Sequence, residues 1–120
     1  MKENIVKEKS FAFALRMVKL AKYLQDEKKE FVLSKQAIRS GTAIGALVRE
    51  AEHAESKADF IHKMTIALKE ANETLYWLEL LHQSGYISQK SFESIRADSE
   101  ELVKLLVAIV KSSKGLQNDK

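Results

Sequence analysis

Apolar residues recur at three- and four-residue intervals in four stretches of the chain, separated by short polar segments. That spacing is the signature of amphipathic helices. The first stretch carries Phe11, Phe13, Ala14, Leu15, Met17, Val18, Leu20, Ala21 and Leu24. At 100° per residue these positions cover more than half the circumference, an arc wider than one bundle seam requires. The charged segment Gln25-Asp26-Glu27-Lys28-Lys29-Glu30 reads as a connection. The second stretch presents a narrow face of Ser34, Ala37, Ile38, Gly41, Ile44, Gly45 and Val48. Two glycines inside a helix cost about 1 kcal/mol each, so close approach of a neighbouring backbone is the expected return.

The third and fourth stretches carry the spacing of a left-handed bundle seam. In the third it runs through Phe60, Met64, Ala67, Ala71, Thr74, Leu78 and Leu81. In the fourth it runs through Phe92, Ile95, Ser99, Leu102, Leu106 and Ile109. Their ends are marked. Ser56 with Asp59 forms a capping-box-like start, and Gly85 stands where a left-handed residue closes a helix. Ser88 is an N-cap, flanked by a hydrophobic staple of Ile87 and Phe92. The pattern predicts helices over about 8–26, 31–54, 57–84 and 89–112, with a polar, fraying tail over 113–120. Short connections make sequential helices antiparallel. The expected fold is all-α, a single up-down-up-down four-helix bundle over residues 1–120.

Composition narrows the function classes. Zero proline and four glycines suit long helices. Zero cysteine removes disulfides, thiolate metal sites and thiol nucleophiles. The N-terminus lacks the apolar core of a secretory signal, and the longest apolar run, Leu105 to Val110, is far below the ~18 residues of a membrane span. A cytoplasmic protein without a membrane role is expected.

Two Glu-x-x-His motifs, Glu50 to His53 and Glu79 to His82, raise the question of a di-metal site like that of ferritin-like bundles. Three features oppose it. No acid lies between Lys9 and Gln25 to supply a ligand from the first helix. Glu50 points away from the small-residue face. The two motifs also fall at opposite ends of the bundle, ~27 Å apart at the helical rise. Gly41 to Gly45 lacks the lysine and hydroxyl ending of a phosphate loop, and His62 completes no ligand spacing. No catalytic residue, metal or cofactor is expected.

The net charge of +3 is mild, and it is uneven. Residues 1–30 hold eight basic and five acidic residues, which equals the whole excess. Lys9, Arg16, Lys19 and Lys22, with Tyr23 among them, lie opposite the apolar arc of the first helix, as a stripe suited to phosphates or as an ordinary solvated face. A second constellation gathers Arg39 and Glu50 on helix two with Asp59, Lys63, Glu70, Glu73 and Trp77 on helix three. Charges beside apolar positions need partners. Arg39 with Glu70 or Glu73, and Lys63 with Glu50, are the expected pairs, within the bundle or across a subunit interface anchored by Trp77.

The order of several segments carries a resemblance. These are Arg39-Ser40-Gly41-Thr42-Ala43-Ile44, Glu50-Ala51, Ala58-Asp59-Phe60, Ile66-Ala67-Leu68-Lys69-Glu70-Ala71-Asn72-Glu73-Thr74-Leu75-Tyr76-Trp77-Leu78 and Ser84-Gly85-Tyr86-Ile87. Over about residues 8–112 the chain resembles the bacterial four-helix-bundle family of 23S ribosomal RNA intervening-sequence proteins, sometimes labelled ribosomal-protein-like. The resemblance implies a ring-like homo-oligomer, commonly a pentamer, and no family-wide enzymatic activity. Some members are encoded inside insertions within 23S rRNA genes. The accessory protein of diversity-generating retroelements looks related and is thought to bind nucleic acid and a reverse transcriptase. One departure is Gly45-Ala46-Leu47, where relatives often carry an asparagine before the next apolar residue. The expected partners are therefore further copies of the chain and RNA or DNA. The alternative is a protein-interaction scaffold without nucleic acid.

Overall fold

The structure is a computed structural model that describes residues 2–118, with side chains from 4 to 115. Its elements are α1 (Lys2–Asp26), α2 (Leu33–Ala51), α3 (Lys57–Gln83) and α4 (Gln89–Asn118). Each helix packs on its sequence neighbours, and α4 returns to close on α1 along the thinnest of the four seams. The bundle measures 53 × 22 × 20 Å.

Burial follows the expected seams in α3 and α4. Met64, Ala67, Ala71, Thr74, Leu78 and Leu81 are buried on α3, and Phe92, Ile95, Ser99, Leu102, Leu106 and Ile109 on α4. On α3 the seam starts one residue later than the pattern indicates: Ile61 is buried and Phe60 is half-buried. On α2 the buried set is Ser34, Ala37, Ser40, Gly41, Ile44, Val48 and Ala51. Ile38 and Gly45 stand at its edge, half-buried. A hydroxyl pair pins α2 to α3 inside the core, where Thr74 Oγ1 donates to Ser40 Oγ at 2.9 Å.

The helix boundaries correct the sequence pattern at both ends of the chain. α1 begins at Lys2 instead of about residue 8. The charged run there hides Val6, which is fully buried and belongs to the main core cluster. α4 extends to Asn118, past the expected end at 112. Val110 and Ser113 are still buried, so packing continues to hold the helix where its composition turns polar. Of the expected tail, 113–118 is helical and 119–120 lies outside the described residues.

The caps mostly match. Ser56 Oγ accepts from the Asp59 N–H at 3.0 Å, while Asp59 Oδ2 accepts from the Glu55 N–H at 3.1 Å. Ser88 Oγ accepts from the Ser91 N–H at 3.1 Å. Gly85 has φ +84°, and the Tyr86 and Gly85 N–H groups donate to the carbonyls of Leu81 and His82. That is the paired-bond closure only a left-handed residue allows at this position.

The α1–α2 connection is more ordered than a charged patch suggests. Lys29 takes a left-handed φ of 52° and turns Glu30 inward. Glu30 is buried; its carboxylate accepts from the N–H groups of Val32, Leu33 and Ser34 at 3.1, 2.9 and 2.7 Å. Burial pushes this carboxyl up, but those backbone donors outweigh it and leave its pKa below the ordinary value. Glu30 thus caps α2 from outside the helix. The residue directly before α2, Val32, supplies no side-chain cap.

Candidate nucleic-acid interface

The wide apolar arc of α1 splits into two faces. Phe13, Met17, Ala21 and Leu24 are buried, whereas Phe11, Leu15 and Val18 are 50%, 51% and 38% exposed. Phe31 and Val32, outside α2, add to the exposed apolar surface. The Arg49 guanidinium sits 5.1 Å from the Phe11 ring centroid, so the edge of this surface carries a cation–π contact.

The four basic residues of α1 are not equivalent. Lys9 Nζ pairs with Glu101 at 3.2 Å, and Arg16 pairs with Asp98 at 2.7 Å while also donating to Ser94 Oγ at 3.1 Å. These bridges tie α1 to α4 and offset two of the four charges. Lys19 and Lys22 make no ion pair among the described residues. Lys19 and Tyr23 border a groove of about 430 Å³ between α1 and the start of α4, together with Arg16, Leu20, Ile87, Ser88, Ser91 and Ile95. Lys22 is exposed but lies outside that lining.

The second constellation divides as well. Arg39 bridges Glu70 at 3.2 Å and also contacts Glu73, whose carboxylate accepts from Trp77 Nε1 at 2.9 Å. The Trp77 N–H holds the Glu73 carboxyl below its ordinary pKa, against the effect of burial and with help from Arg39. Hydrogen bonds from Arg39 to Glu70 and Glu73 in turn raise the guanidinium pKa. Lys63 meets Glu50 at 3.0 Å. The expected pairs therefore all form within one chain. Asp59 caps α3 and makes no ion pair with them among the described residues, but its charge joins Glu50 in raising the Lys63 pKa. One oxygen of Glu70 is buried without a hydrogen-bond partner among the described residues.

The motifs considered for metal binding give no cluster. Among the described residues, no group of three or more His, Asp or Glu side chains is placed to hold an ion. His82 instead stacks on Phe92, with centroids 4.4 Å apart and planes 2° from parallel. Among the described residues no helix is long and apolar enough to cross a membrane.

Sequence spacing did not reveal the acidic partners of Lys9 and Arg16. The available signal was Asp98 and Glu101, three apart on one face of α4. The family model for 23S rRNA-intervening sequence proteins matches residues 2–108. The chain belongs to this family. A solved structure from Bacteroides thetaiotaomicron VPI-5482, described as a protein with unknown function from the S23 ribosomal protein family, is 61% identical to this chain. The match covers 92% of this chain and 99% of that one, with a TM-score of 0.92. No curated protein matches the chain. Neither the family nor the solved relative indicates a catalytic activity.

Proposed function

We propose that this protein is a non-catalytic, cytoplasmic homo-oligomer that associates with RNA through the α1 surface around Lys19 and Lys22. The observation that carries the reading is the inequality of the basic stripe. Lys9 and Arg16 are held by α4 carboxylates, whereas Lys19 and Lys22 remain available to phosphates beside an exposed tyrosine. The family description refers to 23S rRNA, which makes RNA the nucleic acid to test first. The exposed stripe of Phe11, Leu15 and Val18 supports assembly, because an apolar face of this kind is covered in a stable state. Arg39, Lys63, Glu70 and Trp77 would then stiffen the α2–α3 surface offered to a neighbouring copy. In a ring of five, the subunit number implied by the family resemblance, the +3 of each chain multiplies and weak contacts gain from avidity.

The test combines solution mass with binding. Light scattering should give a ring-sized particle. Anisotropy titrations of structured RNA should weaken steeply with salt, because each neutralised phosphate releases counterions. Lys19→Glu with Lys22→Glu should abolish binding; unchanged affinity refutes this face. A monomer in solution refutes the assembly.

A second reading is a protein-interaction scaffold without nucleic acid. The pairing of Lys9 and Arg16 favours it, since it halves the basic stripe. Pull-down with and without nuclease separates the two.

A further inference from the structure

The groove between α1 and the start of α4 has a composition that a plain phosphate-contacting surface does not need. Its floor is apolar: Leu20, Ile87 and Ile95, the last two buried. Tyr23, 44% exposed, stands on its rim beside Lys19. Ser88 and Ser91 place hydroxyls along the opposite side. No carboxylate is among the lining residues, and Asp98, next to Arg16, is engaged by it. The Arg16–Asp98 bridge bounds the groove on one side and the α3–α4 turn on the other. At about 430 Å³ it falls in the size range of small-molecule sites.

We propose that this groove receives an unpaired base of single-stranded or looped RNA, stacked against Tyr23 over Leu20 and Ile87, with its flanking phosphate at Lys19. The proposal rests on the functional reading above and deepens it by naming the form of RNA bound. Chemical complementarity selects the occupant: an apolar floor with an aromatic ring on its rim takes a flat heterocycle, and the adjacent Lys19 ammonium takes the anion attached to it. Duplex RNA keeps its bases stacked inside the helix and presents backbone and minor groove only, so it cannot fill such a slot. Stacking of a base on an aromatic side chain is tolerant of sequence, because every base has a flat face. The groove therefore distinguishes paired from unpaired RNA more than one sequence from another.

The experiment uses the full chain with two fluorescent probes, a 12-nucleotide single-stranded RNA and a blunt duplex of the same sequence, at equal salt. The single strand should bind more tightly. Tyr23→Ala should weaken single-strand binding roughly 5- to 150-fold, the loss expected for one stacked base. Tyr23→Phe should restore it, and the duplex affinity should not move for either variant. A 2-aminopurine placed in the single strand should be quenched by the wild type and not by Tyr23→Ala. Tyr23 is exposed, so neither substitution endangers the core. If Lys19→Glu with Lys22→Glu abolishes binding while Tyr23→Ala leaves the single strand unaffected, or weakens both probes equally, the base slot is overturned and the phosphate surface stands. If neither probe binds, the functional reading and the base slot fall together.

Discussion

Replacing Gly41 and Gly45 separately with alanine isolates what each helix glycine contributes. Both lie in the interior of α2, where alanine is favoured over glycine by about 1 kcal/mol. The difference is what the new methyl meets. At Gly41 an added Cβ would lie 2.5 Å from Met17 Cγ, 3.0 Å from its Cε and 3.2 Å from its Cβ. Met17 is fully buried, and two of those atoms sit near its backbone. The side chain cannot swing its tip away to make room; α1 and α2 must separate or Met17 must take another rotamer. Overpacking of this kind costs about 1–3 kcal/mol, so Gly41→Ala should be neutral to destabilising by about 2 kcal/mol once the propensity gain is subtracted. At Gly45 the nearest atoms are Ser10 O at 3.4 Å, then Ser10 C and Oγ at 3.5 Å. These are ordinary contacts, so Gly45→Ala should keep most of the gain and stabilise by up to about 1 kcal/mol. The two variants should thus differ by about 1–3 kcal/mol. At roughly 4 °C per kcal/mol for a chain of this length, the melting temperatures should separate by about 4–12 °C. Thermal and urea melts must be run at one protein concentration, because the proposed assembly would make the midpoint concentration-dependent. Gly41→Ala stabilising the protein as much as Gly45→Ala would refute the claim that Gly41 is required by the close approach of Met17.

Two further outcomes follow from the carboxylates. Glu30→Ala should destabilise by about 1–3 kcal/mol, because the buried Ser34 N–H and its two neighbours lose their acceptor; urea unfolding at neutral pH measures it. The folded-state pKa of Glu30 is depressed, so its contribution is present above the unfolded value and lost as pH falls through the folded value; the gap between wild type and variant should close in that acid range. Trp77 is the sole tryptophan and donates to Glu73, so its emission should report protonation of that carboxylate. The transition should fall below the ordinary glutamate range, move upward in Arg39→Ala and vanish in Glu73→Gln; a midpoint at the ordinary value in the wild type contradicts the arrangement.

What the sequence discloses depends on whether the interaction is local. The seams of α3 and α4, the Ser56 and Ser88 caps and the Gly85 closure are legible because each involves residues within about a turn of one another. The surplus of apolar residues on α1 is legible too, although the division between Met17 facing inward and Leu15 facing outward needs the neighbouring helices to be in place. The Glu30 cap is illegible because a left-handed Lys29 and burial convert what reads as a solvated charge into an acceptor for α2. The start of α1 is missed because charges at Lys2, Glu3, Lys7 and Glu8 outnumber the apolar positions there, although packing is decided by Val6 alone among those with described burial.

The basic stripe shows the same limit with a functional consequence. Four cations on one helix read as one feature, but their partners lie on α4, far along the chain, and no spacing on α1 encodes them. Only the α1–α4 register separates the two residues paired across the bundle from the two that make no ion pair among the described residues. A charge count over residues 1–30 therefore overstates the surface available to phosphates. Reversing Lys9 or Arg16 would loosen the α1–α4 seam as well as change the charge, and loss of binding in such a variant would not locate the interface. Lys19 and Lys22 carry the same charge without that structural link, which makes them the positions where binding and stability can be read separately.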